Sequence, residues 1–246
     1  MANKEYISLQ GKFYLSEIAN GVAGAMRHIG NVPELELEIT TDQVEHQEST
    51  SGQRTTDFVL TKTTGVNFKG QLEETNDENL QYILSGMKTE VASSTVTGQS
   101  LGVVKVGDEI KLDGYGLKTV SFQAGATPVD ESKYELDAIF GTVIFNETIV
   151  EPVTATYTTS AASHITLASD FNKEYELFFK GINTATGKYM AVRLWRTKKS
   201  PEATFPLIHE ELGQYEISGQ ALSDTMKGLD AKLGLYGHIV TIPNAT

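Results

Sequence analysis

The hydrophobic pattern of this chain is clearest near residue 34, where apolar and acidic side chains alternate. Three apolar residues alternate with three glutamates: Leu35, Leu37 and Ile39 with Glu34, Glu36 and Glu38. Because successive side chains of a β-strand point to opposite faces, the pattern predicts a strand with one apolar and one polar face. Neighbouring carboxylates on one face repel one another, so three in succession raise the question of what that face meets.

Similar short runs recur along the chain and predict a mainly β protein. They are rich in Thr, Val and Gly, and turn-forming residues separate them, as is typical of strands and hairpins. The predicted strands include 12–17, 34–41, 56–63, 66–72, 174–181, 188–196 and 213–221, with further short strands between residues 102 and 167.

One segment has the pattern of a helix instead. Thr75 and Glu78 have the spacing of a capping box, in which each side chain satisfies a free backbone N–H group. Apolar residues such as Ile83 follow at helical spacing, and Gly86 stands where a left-handed cap is expected. The sequence therefore predicts a short amphipathic helix over residues 76–85, packed by one face on a sheet.

The clearest hairpin covers residues 175–196. Two aromatic-rich runs flank residues 183–187, a turn-forming stretch that contains a glycine. Large side chains on both faces of these strands favour a sandwich or a contact between subunits. The candidate subunit-interface residues are Tyr175, Phe178, Phe179 and Trp195.

The division of the chain into domains is less clear from its pattern. Residues 87–168 are richer in Ser, Thr and Gly than the rest. They could form a peripheral β-rich subdomain, or they could supply the second sheet of a single domain over residues 1–246.

Composition restricts the classes of function. The chain has 246 residues, 20 basic against 32 acidic, and a net charge of −12. A sequence-independent DNA-binding protein needs a basic face, so tight nucleic-acid binding is not expected. Cysteine is absent, which excludes disulfides and thiolate sites. There is neither an apolar membrane span nor an N-terminal signal core, so we expect no membrane association and synthesis in the cytoplasm.

Residue patterns for catalysis or metal binding are weak. None of the five histidines has zinc-site spacing, and His209 lacks a second histidine. Gly114 and Gly116 lack the third glycine of a dinucleotide loop, and Asp170 begins no complete calcium loop. We therefore expect no enzyme activity, no cofactor and no metal site, although a carboxylate pair of a hydrolase stays possible.

Several elements in succession resemble the major tail tube proteins of long-tailed bacteriophages. The matching elements are Gly-Lys-Phe-Tyr-Leu from residue 11, Ile-Gly-Asn-Val-Pro from residue 29, the alternating run from Glu34, the polar segment Glu-Ser-Thr-Ser-Gly-Gln-Arg from residue 48, a helix ending at Ser85-Gly86, a strand–Asp137–Gly141–strand element, Phe-Lys-Gly-Ile-Asn from residue 179, and Gly-Gln-Tyr-Glu-Ile-Ser-Gly from residue 213. Their order along most of the chain carries the resemblance.

The resemblance implies a structural virion protein of the tail, made in the host cytoplasm. Its expected fold is a β-sandwich or partial barrel with a short flanking helix. Six copies would close into a ring, in which inner strands join one ring-wide β-barrel. Stacked rings would surround the tape-measure protein, meet tail terminator and distal tail proteins, and let DNA pass through the lumen. Contractile-tail and secretion-system tubes fit the same pattern.

Two groups of residues become candidate sites in such a tube. Glu34, Glu36 and Glu38 would line the lumen, where carboxylates repel DNA, or else lie on an ordinary outer surface. Residues 43–55 form a polar segment too long for a tight turn, and we expect a loop that reaches the next ring. Its candidate contacts are Glu45, Glu48, Gly52 and Arg54, with Glu48 or Arg54 in an ion pair; the alternative is a mobile surface loop.

A second class of function remains open beside the tail tube. A β-sandwich can serve as a carbohydrate-binding or adhesive module that uses exposed aromatic side chains. The candidates for that function are Tyr115, Tyr134 and Trp195.

Overall fold

The structure is a computed structural model that describes residues 5–243. It confirms the prediction of a mainly β fold with several sheets and few helices. The chain forms two compact units. One unit is Lys88–Ile165, which lies inside the segment 87–168 that the sequence set apart, and the other comprises the chain on both sides of it.

The strands and helices are numbered in chain order. They are β1 (Leu9–Ala19), β2 (Val22–Ala23), β3 (Arg27–His28), β4 (Glu34–Gln47), β5 (Thr56–Leu72), α1 (Asp77–Leu84), β6 (Lys88–Val91), β7 (Thr95–Val104), β8 (Glu109–Lys111), β9 (Lys118–Ala124), β10 (Thr127–Pro128), β11 (Tyr134–Asp137), β12 (Thr142–Phe145), β13 (Ile149–Thr158), β14 (Ala162–Ile165), β15 (Glu174–Asn183), β16 (Tyr189–Lys199), β17 (Tyr215–Ala221), α2 (Thr225–Gly228) and β18 (Gly237–Ile242).

Strand β16 divides the nine-stranded sheet of the first unit into two layers. One edge of β16 pairs with β15, which continues through β1 to β2 and β3. Its other edge pairs with β18 near its start and with β17 only at Thr197–Lys199, and β17 leads on to β5 and β4. Phe13 and Leu177 of the first layer share one buried core with Phe68 and Ile217 of the second.

Helix α1 lies against this core, and its caps differ from those predicted. The N-cap is Asn76, whose side-chain oxygen accepts a hydrogen bond from the Asn79 amide at 2.9 Å. The predicted capping box at Thr75 is therefore wrong, because the asparagine side chain satisfies the same free amide. Ser85, with φ of 48°, adopts the left-handed conformation that we expected at Gly86.

The buried amide of Asn79 fixes the helix to the chain before β4. Its side-chain nitrogen donates to the carbonyl oxygens of Ile29 and Glu74, at 2.7 and 2.9 Å. Its side-chain oxygen accepts from the guanidinium of Arg27 at 2.6 Å. Burial lowers the pKa of Arg27. Every hydrogen-bonding group of this buried amide side chain thus takes part in holding the helix.

The other end of the helix is held by Lys199, the last residue of β16. Its ammonium donates to the carbonyl oxygen of Ile83 and to the Ser85 hydroxyl, the latter at 3.1 Å. A cation at a helix C-terminus interacts favourably with the helix dipole. Burial nevertheless lowers the pKa of Lys199 to about 8, because its two partners are neutral.

The hairpin predicted over residues 175–196 is confirmed. Strands β15 and β16 pair from Glu174 to Ile182, and Gly187 in the turn between them has φ of 73°. The backbone amide of Gly187 donates to the carbonyl of Asn183 at 2.7 Å. Only a residue that tolerates positive φ closes the turn in this way.

Strands β4 and β5 form a longer hairpin than the sequence predicted. We expected separate strands over 56–63 and 66–72, but β5 runs without interruption through Gly65, which pairs with Thr40. We also expected a loop over residues 43–55, but β4 continues to Gln47. Cross-strand pairing along the whole hairpin leaves only residues 48–55 outside the strands.

The second unit has its own core. A four-stranded sheet in the order β10-β9-β13-β7 and a three-stranded sheet in the order β11-β12-β8 share one cluster of buried residues. Phe122, Phe145 and Tyr157 are its largest members. The strand–Asp–strand element is a hairpin in which the Asp137 carboxylate accepts from the amides of Ile139 and Phe140.

The pKa of Lys199 leads to a prediction about stability. Between pH values of about 8 and 10.5 the folded chain holds fewer protons on this amine than the unfolded chain does. The desolvation cost of the ammonium is therefore present below about pH 8 and disappears as pH rises through this window. We expect the free energy of unfolding of the wild type to increase with pH relative to that of Lys199→Met. Urea unfolding, followed by tryptophan fluorescence, measures both proteins across this range.

The comparison with the variant removes the contribution of other groups. Tyr82 and Tyr175, whose pKa values are raised by burial, titrate equally in both proteins. A difference between wild type and variant that stays constant with pH would contradict a desolvated ammonium at Lys199.

Candidate assembly surfaces

The three glutamates of β4 lie on the polar face of the sheet. Strand register places side chains of this face in three rows: Glu34 with Gln71 and Glu216, Glu36 with Lys69 and Ser218, and Glu38 with Asn67, Gln220 and Lys198. All three glutamates are exposed. Lys69 forms its ion pair with Glu216 at 3.4 Å, and no ion pair of Glu34, Glu36 or Glu38 occurs within residues 5–243. Their carboxylates are open to a partner molecule.

The opposite face of β4 is less buried than the alternation predicted. Leu35 is half-buried and packs on the core. Leu37 is 38% exposed and Ile39 is 79% exposed. The predicted apolar face of the strand is thus only partly buried at Leu37 and open to solvent at Ile39. The reason is that β4 extends beyond the layer that would cover it.

An open groove of about 600 Å³ lies between the two layers of the first unit, beside the start of β4. Its apolar lining includes Leu9, Leu37, Phe179, Val192 and Ile239, which come from both layers. Protein interiors are close-packed. The core of this unit is therefore incomplete where the two layers separate.

Beyond Asn67, strands β4 and β5 pair only with each other among the described strands. We call this two-stranded part, residues 40–65 with the loop at its tip, the arm. From Thr41 to Gln47 it extends by about 20 Å, at about 3.4 Å per residue. Isolated two-stranded ribbons are at best marginally stable in water, so an arm of this length favours contact with another surface.

The arm exposes apolar side chains on both faces. Val44 pairs with Leu60, and His46 pairs with Phe58, which places these four on one face. Phe58 is 58% exposed and Leu60 is 50% exposed, while Val59 is exposed on the other face. Exposed apolar side chains that cluster in one element are typical of an interaction site.

Glu48 organises the tip of the arm. One carboxylate oxygen accepts from the Thr50 amide, the Thr50 hydroxyl and the Ser51 amide, at 2.8, 2.8 and 2.9 Å. The other accepts from the Ser51 hydroxyl. Hydrogen bonds from Ser51 and then Thr50 lower the pKa of Glu48 to about 2. The carboxylate is thus occupied within its own loop, which argues against Glu48 as the predicted ion-pair partner.

The other residues predicted for this loop differ in their surroundings. Glu45 lies in β4 opposite Val59, so its prediction as a loop residue is wrong. Gly52 has φ of 77° at the tip. Arg54 is exposed with φ of 50°, and its side chain has no ion pair or hydrogen bond with the part of the chain that the structure describes. Of the candidates, Arg54 is the charge most available to a partner.

A histidine–aspartate pair holds the base of the loop. His46 Nδ1 and Asp57 Oδ1 lie 2.6 Å apart on the exposed surface of the arm. The hydrogen bond from His46 holds the pKa of Asp57 below its usual range. This contact lies beside the irregular pairing between His46 and Gln47, where β5 gains a residue.

The aromatic residues predicted at a subunit interface lie mainly inside their own unit. Trp195 is 5% exposed, and its ring nitrogen donates to the Gly234 carbonyl at 3.1 Å. Tyr175 packs edge-on against Tyr82, and burial raises the pKa of Tyr175 to about 12. The interface prediction is therefore wrong for Trp195, because the chain before β18 covers it.

Phe178 and Phe179 are both half-buried, on opposite faces of β15. The Phe179 ring lies over Gly11 and Gly181, where an added Cβ would come within 2.7 Å of it. This close approach explains the two glycines and places Phe179 in the groove.

The three aromatic residues predicted for a carbohydrate-binding module do not form a shared exposed surface. Trp195 is buried, and Tyr134 packs against Phe122 in the core of the second unit. Tyr115 is 48% exposed, but the Lys111 ammonium lies 4.2 Å above its ring. Stacking on a sugar needs a free ring face. The structure therefore supports a carbohydrate-binding function less than the sequence did.

Two features of the first unit were missed by sequence reasoning. Lys12 and Lys180 are directly opposed on β1 and β15, and both are exposed. Leu207, Ile208 and Leu212, between β16 and β17, are each more than four-fifths exposed. The register of β1 and β15 was needed to find the lysine pair, whereas the apolar side chains next to the charged residues 202, 210 and 211 were visible in the sequence.

Two absences apply to the described residues. Within residues 5–243, no group of three or more His, Asp or Glu side chains has the arrangement of a metal site. None of the helices in that range has the length and apolar character needed to cross a bilayer.

The fold and these surfaces define a β-rich protein with an unpaired edge and an extended arm. Residues 6–240 match the model of a family described as "Protein of unknown function UCP028589". The chain therefore belongs to that family. No curated protein matches the chain.

The hydrogen bonds of Glu48 lead to a prediction about the arm. We expect Glu48→Ala to loosen the loop, because four donors lose their acceptor. Trypsin should then cleave after Arg54 several-fold faster than in the wild type, as measured by limited proteolysis and mass spectrometry. Glu45→Ala changes a carboxylate in the paired part of the arm and should leave the rate unchanged. Equal rates in both variants would contradict this function of Glu48.

Proposed function

We propose that the protein is a structural subunit that assembles with copies of itself into stacked hexameric rings. These rings form the tail tube of a long-tailed bacteriophage, the conduit through which DNA enters the host. The resemblance in the order of sequence elements supports the proposal, as does the mainly β fold with a short helix against its core.

The observation that carries the proposal is the arm. It leaves the sheet as an isolated ribbon and exposes Val44, Phe58 and Leu60 to solvent. A subunit that functioned alone would gain nothing from these exposed side chains and would risk aggregation. Contact with the next ring buries them and explains why the chain maintains a long ribbon with an ordered tip.

The unpaired edge of β4 supports association within a ring. An exposed edge strand can pair with another chain. If the pairing is heterologous and its rotation closes, the product is a ring, and a second contact along the axis makes a tube. The edge of β4 before the arm, at Glu34–Ile39, and the arm itself thus supply two different contacts, one for each direction of assembly.

The polar face of β4 fits a lumen. Glu34, Glu36 and Glu38 are exposed side by side. A ring of such carboxylates repels the phosphates of DNA, so DNA passes without binding. The tape-measure protein would fill this lumen before DNA does, and terminator and distal tail proteins would contact the ends of the tube.

Removal of the arm tests the proposal. Gln43 and Thr61 are paired, so Asn-Gly in place of residues 44–60 joins them through a two-residue turn. We expect a folded protein that makes no tubes, whereas the wild type makes hollow tubes when it is concentrated. Negative-stain electron microscopy shows the tubes, and urea unfolding confirms the fold. Normal tubes without the arm, or a wild type that stays monomeric when concentrated, would contradict the proposal.

A point variant tests the contribution of one side chain while the arm itself stays in place. We expect Phe58→Ser to weaken tube formation by about tenfold in concentration, because a large aromatic contact is lost. Phe140→Ser is the matched control, since Phe140 is 63% exposed in a hairpin of the second unit and Phe58 is 58% exposed. Equal effects of the two changes would mean that the arm has no special function.

A further inference from the structure

Strand β1 has a free edge between Leu9 and Lys12. Its pairing with β2 and β3 covers only residues further along, at Tyr14–Leu15 and Ile18–Ala19. The Phe13 carbonyl accepts from the Ile29 amide on this edge, while the Ser8 carbonyl accepts on the β15 side. In an antiparallel pair the direction alternates. Leu9 and Gly11 therefore direct their backbone groups to the free edge.

Strand β4 also has a free edge, over the length Glu34–Gln47. Its pairing in the described chain is with β5 alone. These two free edges of the first unit carry side chains of opposite charge. On β4 these are the three glutamates, and on β1 it is Lys12.

Lys12 does not stand alone on its face. Lys180 is its direct partner on β15, and both side chains are exposed. Like charges directly opposite on neighbouring strands destabilise a sheet. The Lys180 ammonium lies 4.8 Å above the Tyr14 ring, but neither lysine forms an ion pair with any residue between 5 and 243. An acidic partner would remove this repulsion.

We propose that β4 of one copy pairs edge to edge with Leu9–Lys12 of the next copy, so that its glutamates meet Lys12 and Lys180. The inference rests on the proposed self-assembly and specifies which two edges join. It also explains why three glutamates follow one another on β4: they face the lysine pair of a neighbour as well as the lumen.

The side-chain alternation of both strands agrees with this pairing. Phe13 of β1 faces the core, so Leu9 and Gly11 share its face and Lys12 lies on the other. On β4, Leu37 and Ile39 lie on the core side and the glutamates on the other. When the core sides are aligned, opposite charges meet on one face and apolar side chains meet on the other. This holds for either relative direction of the strands.

Other edges of the first unit fit the glutamates less well. Strand β18 also pairs only with β16, but the side chains on its outward face are His238, Val240 and Ile242. Strand β2 has two residues and no basic side chain. Of these edges, only the one at β1 offers two lysines to the acidic row.

Charge reversal on the two edges tests the proposal. One variant carries Glu34→Lys and Glu38→Lys, which avoids a new lysine opposite Lys69. The other carries Lys12→Glu and Lys180→Glu. Each variant alone places like charges where the wild type has opposite ones, apart from the unchanged Glu36 in the first variant, so we expect the concentration needed for tubes to rise by about tenfold or more. An equal mixture should assemble near the wild-type concentration, because alternating copies restore opposite charges.

A control variant changes the net charge elsewhere. Glu109→Lys with Glu151→Lys alters the charge by the same amount in the second unit, at two exposed positions. We expect it to assemble like the wild type. If the edge variants assemble normally, or if their mixture does not recover, the proposed pairing is wrong. The arm experiments are unaffected by either result, so self-assembly can stand while this pairing fails.

Cross-linking tests the same contact directly. The chain has no cysteine, so a pair of introduced cysteines has no competitor. Lys12→Cys is combined in turn with Glu34→Cys, Glu36→Cys or Glu38→Cys, since cross-strand Cβ atoms lie within about 5.5 Å. We expect one combination to give a ladder of disulfide-linked chains on a non-reducing gel, and single variants to give none beyond dimers. Tubes with no ladder from any combination would overturn the proposal.

Discussion

The backbone of an edge strand has N–H and C=O groups that no neighbouring strand satisfies, and β4 has such an edge over Glu34–Gln47. These unsatisfied backbone groups are the main constraint on how the first unit can associate. Natural sheets protect long edges by charge, by bulges, by covering elements or by pairing with another chain. Strand β4 has charged residues along its length and a pairing irregularity near Asp42, but none of the described strands pairs with its outer edge. Pairing with another copy would satisfy the backbone groups of β4 that lie opposite the added strand.

The incomplete core is explained by the same arrangement. The two layers meet at the end where β16 pairs with β17, and they separate at the other end. Leu37 and Ile39 continue the core face of β4 but are exposed, and the groove opens beside Leu37. The single subunit thus leaves part of its core open to solvent at the groove. Association would bury apolar surface there, and burial of apolar surface is the main favourable contribution to most protein association.

The sequence predicted those features that depend on neighbouring residues. Alternation located most strands, and the turn at residues 183–187 contained the required glycine. Prediction from the sequence failed where the burial or pairing of a residue depends on residues far away in the chain. The cover over Trp195 comes from Gly234, thirty-nine positions further on. Gly65 looked like a turn, but its partner Thr40 keeps it in the strand. The exposure of Ile39 depends on where the opposite layer ends, and no local pattern contains that information.

Candidate surfaces were harder to predict than elements for a related reason. The glutamates of β4 were visible because they are consecutive on one strand, whereas Lys12 and Lys180 are far apart in sequence and meet only through register. The segment at residues 43–55 looked like a loop because its residues are polar. Exposed residues of a ribbon are polar as well, so composition alone could not distinguish a paired arm from a loop. Glu48 looked like a free charge, but its acceptor sites are filled by Thr50 and Ser51.

Net charge sets a last requirement on any assembly of this chain. Each copy carries a formal charge of −12, so copies repel one another before contact. At about 0.1 M salt this repulsion is screened beyond about 10 Å, so the charges at the contact itself make the largest electrostatic contribution to association. An acidic row that met another acidic row would add to the repulsion at short range. A basic pair at the contact removes it locally while the rest of the surface stays acidic. In the proposed pairing Lys12 and Lys180 are local counter-charges in an acidic protein, and glutamates of another copy beside them would relieve their mutual repulsion.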